Sequence, residues 1–224
     1  MMPGKSPSPS TRTVTTHSEN TMAVAGLVLA GGKSSRFGSN KAFAELDGTA
    51  LIQRVTDLFA GLFSQTLLST NTPELYRHLG LPMVADRYPG DGPLAGIHAA
   101  MSDTRHQWLL VVACDMPLLR KSFLQCMMKK AVASSVDAIV PRVNGRAEPL
   151  CALYHRRTLS VAGEMLENKE RRMHEFLSRI TVRFLDDDEL GDWGRVPGLF
   201  HNVNRPEDLA LARALAPGNA GGQL

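Results

Sequence analysis

The sequence predicts an α/β domain, doubly wound, with a mainly parallel sheet and helices on both faces. Three observations carry this. Strand-like runs alternate with segments of helical period along most of the chain. Two of the runs, Val24 to Ala30 and Trp108 to Ala113, are apolar and free of charge, as strands covered on both faces must be. The polar residues best suited to chemistry directly follow such runs, where ligands of open α/β sheets bind.

The elements follow in order. Val24 to Ala30 reads as a central strand ending at Gly31-Gly32. Ala42 to Leu46 with Asp47-Gly48 reads as a short extended piece and a turn. Thr49 is placed to cap a helix carrying Leu51, Ile52, Val55, Leu58, Phe59 and Leu62 at helical spacing. Thr66 to Ser69 is a strand, Pro73 to Leu79 a short helix, and Pro82 to Ala85 a strand ending on Asp86. Gly90-Asp91-Gly92-Pro93 opens a helix over Leu94 to Met101. Trp108 to Ala113 is the most apolar strand and ends on Cys114-Asp115-Met116-Pro117. A helix over Phe123 to Ala133 and strands over Asp137 to Pro141 and Pro149 to Tyr154 come next. A helix follows from about Arg156 to Leu166, then a strand over Thr181 to Leu185. Pro206, with Glu207 and Asp208 in the first turn, starts the last helix.

The 224 residues allow one such domain, expected over residues 23–216. Residues 1–22, rich in Ser, Thr and Pro, read as a disordered extension, with Met22 a candidate start, and residues 217–224 as a flexible tail. A formal charge of +3 with no long basic block gives nucleic acid no footprint. No apolar run approaches the ~20 residues that span a membrane. Cys114, Cys126 and Cys151 are odd in number and lack C-x-x-C spacing, so they read as reduced thiols of a cytoplasmic protein.

The chain is organised around Leu29-Ala30-Gly31-Gly32 and the loop that runs to Lys41. Two glycines after a buried strand let backbone N–H groups approach a ligand, and Arg36 and Lys41 add positive charge. Backbone donors with two cations suit a polyphosphate. The spacing is neither that of the G-x-x-x-x-G-K-[ST] loop nor that of the G-x-G-x-x-G fingerprint. Asp115 fits a magnesium ligand, which takes one or two carboxylates beside phosphate and water, or a cap of the next turn. Asp86 is a second acid for the same crevice, or a solvated loop charge. The small residues of Gly92 to Gly96 admit either a base or a neighbouring helix. Asn204 is either the N-cap of the last helix or a contact to the metal shell. No nucleophile stands out among the scattered histidines, and direct phosphoryl-type transfer needs none.

These segments, taken together, resemble the molybdenum cofactor guanylyltransferases, nucleoside-triphosphate transferases of Rossmann-like fold. The matching stretches are Leu29-Ala30-Gly31-Gly32 to Lys41, Asn71, Asp86, Gly92-Pro93-Leu94-Ala95-Gly96, Cys114-Asp115-Met116-Pro117, Glu170-Arg171-Arg172 and Asn202-Val203-Asn204-Arg205-Pro206-Glu207-Asp208. The resemblance covers about Gly26 to Leu211. It departs at Phe37, where that family often has methionine. It implies that Leu29, Ala30, Gly31 and Gly32 hold GTP, with Lys41, Asn71 and Asp86 as further contacts. Asp115 would hold Mg2+, and Arg36, Lys41 and Asp115 would serve catalysis. The implied substrates are GTP and molybdenum-bound molybdopterin, with pyrophosphate released. Other cofactor-biosynthesis proteins and molybdoenzymes are the implied partners. A cytidylyl enzyme, or one acting on a sugar or alditol phosphate, is the neighbouring reading. Gly32 favours guanylyl transfer, because related cytidylyl enzymes resemble Leu-Ala-Ala-Gly there. Glu148-Pro149-Leu150, near the expected pterin side, carries no assignment.

Overall fold

A computed structural model of the chain describes residues 24–31, 40–131 and 135–216. The expected extension over 1–22, the tail over 217–224, and Gly32 and Arg36 lie outside the described residues.

The main sheet has eight strands. Seven of them lie in the order β10 (Val182–Leu185), β7 (Ala138–Val143), β9 (Cys151–His155), β6 (Trp108–Ala113), β1 (Val24–Leu29), β4 (Thr66–Ser69) and β5 (Met83–Val84). The eighth, β8 (Arg146–Ala147), pairs with β7. A separate hairpin joins β2 (Glu45–Leu46) to β3 (Thr49–Ala50) around Asp47-Gly48. Strand β1 is central, in parallel register with β6 from Val24↔Trp108 to Leu29↔Ala113 and with β4 from Gly26↔Thr66 to Leu29↔Ser69. Strand β9 pairs antiparallel with both β6 and β7, so the sheet is mixed but mostly parallel.

Alternating side chains divide the strands between two cores. Val24, Val28, Leu68, Leu110, Val112, Ile139 and Leu153 face α1 (Leu51–Phe59) and α3 (Lys121–Ala131). Ala25, Leu27, Leu29, Leu67, Leu109, Val111 and Tyr154 face α2 (Pro93–Asp103), α4 (Leu159–Glu167) and α5 (Met173–Ser178). The sheet is therefore covered on both faces, as a doubly wound arrangement requires. After α6 (Asp187–Leu190), α7 (Pro206–Leu215) joins a third apolar cluster of Leu46, Leu51, Leu118, Val203 and Ala212.

Several local expectations are corrected. Ala50, not Thr49, occupies the cap of α1, because the extended strand β3 runs through Ala50 directly into the helix, with no side-chain cap bond. Residues 73–79 form two 3-10 turns, Pro73–Leu75 and Arg77–Leu79, in place of one helix. The cap position of α7 is Arg205, so Asn204 is not its N-cap.

Candidate active site

Strands β6, β1, β4 and β5 run parallel, so their carboxyl ends share one edge of the sheet. Residues just beyond those ends are Asp115, Ala30 with Gly31, Asn71 and Asp86. The topology thus brings the expected residues among those described to one edge of the sheet.

Lys41 stands where the loop after β1 rejoins the fold, in a 3-10 turn over Lys41–Phe43. Its Nζ donates to Asp115 Oδ2 at 2.5 Å and to Asn204 Oδ1 at 3.3 Å. Asp115 is only 8% exposed. Its Oδ1 is buried with no hydrogen-bond partner among the described residues. A buried carboxylate oxygen left unpaired is costly unless a ligand meets it. Asp115 does not cap a helix, since α3 starts only at Lys121. Its carbonyl accepts from the Val203 amide at 2.8 Å, which ties the segment before α7 to the end of β6. Asp208 completes the tie: its carboxylate accepts from the Asn204 amide at 2.7 Å and the Arg205 amide at 2.8 Å.

On the other side of β1, Asn71 and Asp86 hold each other. Asn71 Nδ2 donates to Asp86 Oδ2 at 2.8 Å, and the Asp86 amide donates to Asn71 Oδ1 at 2.9 Å. Burial pushes the Asp86 carboxyl above its ordinary value, and bonds from Asn71 and Ser69 partly offset this. Asp86 is half-buried and hydrogen-bonded, not a solvated loop charge.

Between these clusters, Leu29 and Ala30 are engaged within the fold. The Leu29 carbonyl accepts from the Cys114 amide, and the Ala30 amide donates to the Ser69 carbonyl, both at 3.0 Å. Gly31 is exposed. Its φ is not in the left-handed region, and a Cβ there would meet no described atom within 4 Å. Gly96 of α2 differs: a Cβ there would lie 2.4 Å from Ser69 Oγ and 3.0 Å from Leu29 Cδ2. Its small size serves close packing of α2 on the ends of β4 and β1. Glu170-Arg171-Arg172 leads into α5. There Arg171 Nη1 reaches Asp91 Oδ1 at 3.5 Å, and Asp91 is 6% exposed.

Two residues near the site had no role in the sequence reading. Tyr76 donates its hydroxyl proton to the Ala30 carbonyl at 3.1 Å and accepts from Asn40 Nδ2 at 2.9 Å. Glu148 lies within the electrostatic reach of Asp115. Burial raises its carboxyl first, Arg146 opposes this, and Asp115 adds to it. Pairing of β6 with β9 explains that proximity: Val112 faces Cys151, the Ala113 amide bonds the Leu150 carbonyl, and continuing outward leads to Asp115 and Glu148. Only the antiparallel direction of β9 makes them neighbours, and an apolar run does not reveal direction. Cys114, beside Asp115, is fully buried and its thiol is pushed up to about 12, chiefly by burial and then by Asp115. It stays protonated and offers no nucleophile.

A doubly wound sheet thus carries a lysine–aspartate pair and an amide–aspartate pair beyond the carboxyl ends of its parallel strands. Residues 26–183 match the MobA-like NTP transferase domain, and the chain belongs to that family. It is 33% identical over 193 residues to a molybdenum cofactor guanylyltransferase of Desulfosudis oleivorans, covering 86% of this chain and 95% of the relative. It is 36% identical over 195 residues to a protein of Bacillus licheniformis named probable molybdenum cofactor guanylyltransferase, covering 86% and 97%. Among solved structures it is similar to molybdopterin-guanine dinucleotide biosynthesis protein A from Archaeoglobus fulgidus. That match has a TM-score of 0.75 and 26% identity, over 85% of this chain and 97% of the other.

Proposed function

We propose that this chain transfers GMP from GTP to molybdenum-bound molybdopterin, forming the guanine dinucleotide cofactor and releasing pyrophosphate. The names of the relatives support the substrates. The observation that carries the chemistry is the Lys41–Asp115 pair beyond the ends of β1 and β6.

The reaction is in-line attack by the terminal phosphate of molybdopterin on the α-phosphorus of GTP. Gly31 lets the triphosphate approach the end of β1, and Asn71 and Asp86 contact the nucleoside. Lys41, with Arg36 from the same loop, offsets charge that builds on the phosphates. Asp115 holds the ammonium of Lys41 in place. Asn204 holds the same ammonium from the α7 side.

Asp115 also suits Mg2+. Its buried, unpartnered Oδ1 is a hard oxygen donor of the kind that ion takes. Among the described residues no group of three His, Cys, Asp or Glu side chains could hold a metal, so phosphate oxygens and water would complete the shell. When bound, magnesium supplies Lewis-acid neutralisation of the triphosphate. On the same reading residues 23–216 work as one domain in the cytoplasm. Other cofactor-biosynthesis proteins and molybdoenzymes are its partners. No helix among the described residues is long and apolar enough to cross a membrane.

The test is turnover of molybdopterin with each of the four nucleoside triphosphates, for the native protein and for Asp115→Asn. GTP should be preferred. The variant should lose at least ~10²-fold in turnover, the scale of one preorganised electrostatic contact. Its GTP affinity should also lose its dependence on magnesium. Near-native turnover of Asp115→Asn with magnesium, or a preference for CTP, would refute the proposal.

A further inference from the structure

We propose that Tyr76 is a positioning residue for guanylyl transfer: its hydroxyl joins the two ends of the loop between Ala30 and Asn40 and thereby sets where Lys41 stands. The inference rests on that loop being the nucleotide-binding loop.

The geometry is specific. The Tyr76 ring is 0% exposed and stacks on Phe43, with centroids 5.1 Å apart. Its hydroxyl proton goes to the Ala30 carbonyl, at the point where the loop leaves β1. Its oxygen accepts from Asn40 Nδ2, at the point where the loop returns. Asn40 is itself oriented, because its Oδ1 accepts from the Ala42 amide at 3.1 Å. The Phe43 amide donates to the Asn40 carbonyl, also at 3.1 Å. Lys41 therefore sits on a turn fastened to the phenol through Asn40, and its ammonium reaches Asp115 from there.

A core position alone would not call for this hydroxyl. Phenylalanine would fill the same space and keep the stack on Phe43. Burying a hydroxyl is unfavourable unless it is bonded, and both bonds of this one go to the two loop ends. Burial is the main effect holding the phenol protonated, with the Asn40 bond opposing it and Cys114 adding to it. The phenol thus remains a donor to Ala30 across the working pH range. Holding Asn40 in this way fixes the turn that carries Lys41, so its positive charge is placed for the phosphates in advance.

The experiment compares Tyr76→Phe, Lys41→Ala and the double variant, each at a temperature well below its own Tm. It measures GTP Kd by titration, and kcat and KM for guanylyl transfer. Tyr76→Phe should lower kcat/KM by at least about tenfold while the circular dichroism spectrum stays native, since misplacing one positioned group by ~1 Å can cost ~10²-fold. In the Lys41→Ala background the same change should have little further effect on GTP Kd, since it acts through Lys41. Asn40→Ala, which breaks the bond from the other side, should reproduce the loss, and it serves as the primary test if Tyr76→Phe does not fold. A folded Tyr76→Phe within about twofold of native overturns the proposal, as does an equal loss with and without Lys41. If Lys41→Ala itself remained fully active, the nucleotide-loop reading would fail instead, and the two failures are distinct.

Discussion

Gly31 has no steric reason, among the described residues, to be glycine. Its φ is ordinary and the space a Cβ would take is open to every described atom. Any demand for glycine therefore comes from what lies against it. Gly31→Ala should leave stability within about 0.5 kcal/mol, as at other open surface sites. The same change should weaken GTP binding by roughly tenfold, or ~1.4 kcal/mol. Thermal melts and a nucleotide titration on one preparation check both halves, and an unchanged Kd would mean the triphosphate does not approach this backbone. Gly96 gives the contrast. There the protein itself fills the space: the neighbours are Ser69 and Leu29 at the ends of β4 and β1, neither the base nor the helix that the sequence reading allowed, while Gly92 meets no described atom within 4 Å. A glycine in a sequence does not say which of the two it serves, because the reason lies in the neighbour.

Among the elements, α7 does most for its size, because the segment before it bonds Asp115 and Lys41 together. Asp208 anchors that segment through the amides of Asn204 and Arg205. The Asn204 amide holds the Asp208 carboxyl below its ordinary value of 3.8, burial opposes this, and the Arg205 amide adds to the lowering. A depressed carboxylate stabilises the fold above the ordinary value, and that contribution fades as pH falls through the lower folded one. Asp208→Ala should therefore cost ~1 kcal/mol near pH 7, the usual worth of such a cap. The deficit should shrink toward pH 3. Urea midpoints of the two proteins at both pH values test this, and a deficit independent of pH would assign the loss to packing. Legibility at this scale followed pattern length. Strands β1 and β6 were readable because each is an apolar run bounded by glycine or polar residues. Helix α5, at six residues, is too short to show a period, and β8 has only two residues. The direction of β9 was hidden because a buried strand looks alike both ways. Lys41 and Asp115 were each visible, but their contact across 74 residues was not. Tyr76 was invisible because it sits in a segment read as one helix.

For the whole molecule, a ligand that binds only the folded state adds to its stability by mass action. GTP with magnesium at about 100 times its Kd should add ~2.7 kcal/mol to the unfolding free energy. CTP at the same concentration should add less. Equal shifts in Tm from both nucleotides would show that the crevice does not distinguish bases.

The Lys41 to Asn204 bond spans 163 residues. Strand β1 and its two parallel neighbours are complete by residue 113, whereas this partner of Lys41 comes from the segment just before α7. The surroundings of the Lys41 ammonium are thus drawn from two distant parts of the described fold, Asp115 after β6 and Asn204 before α7.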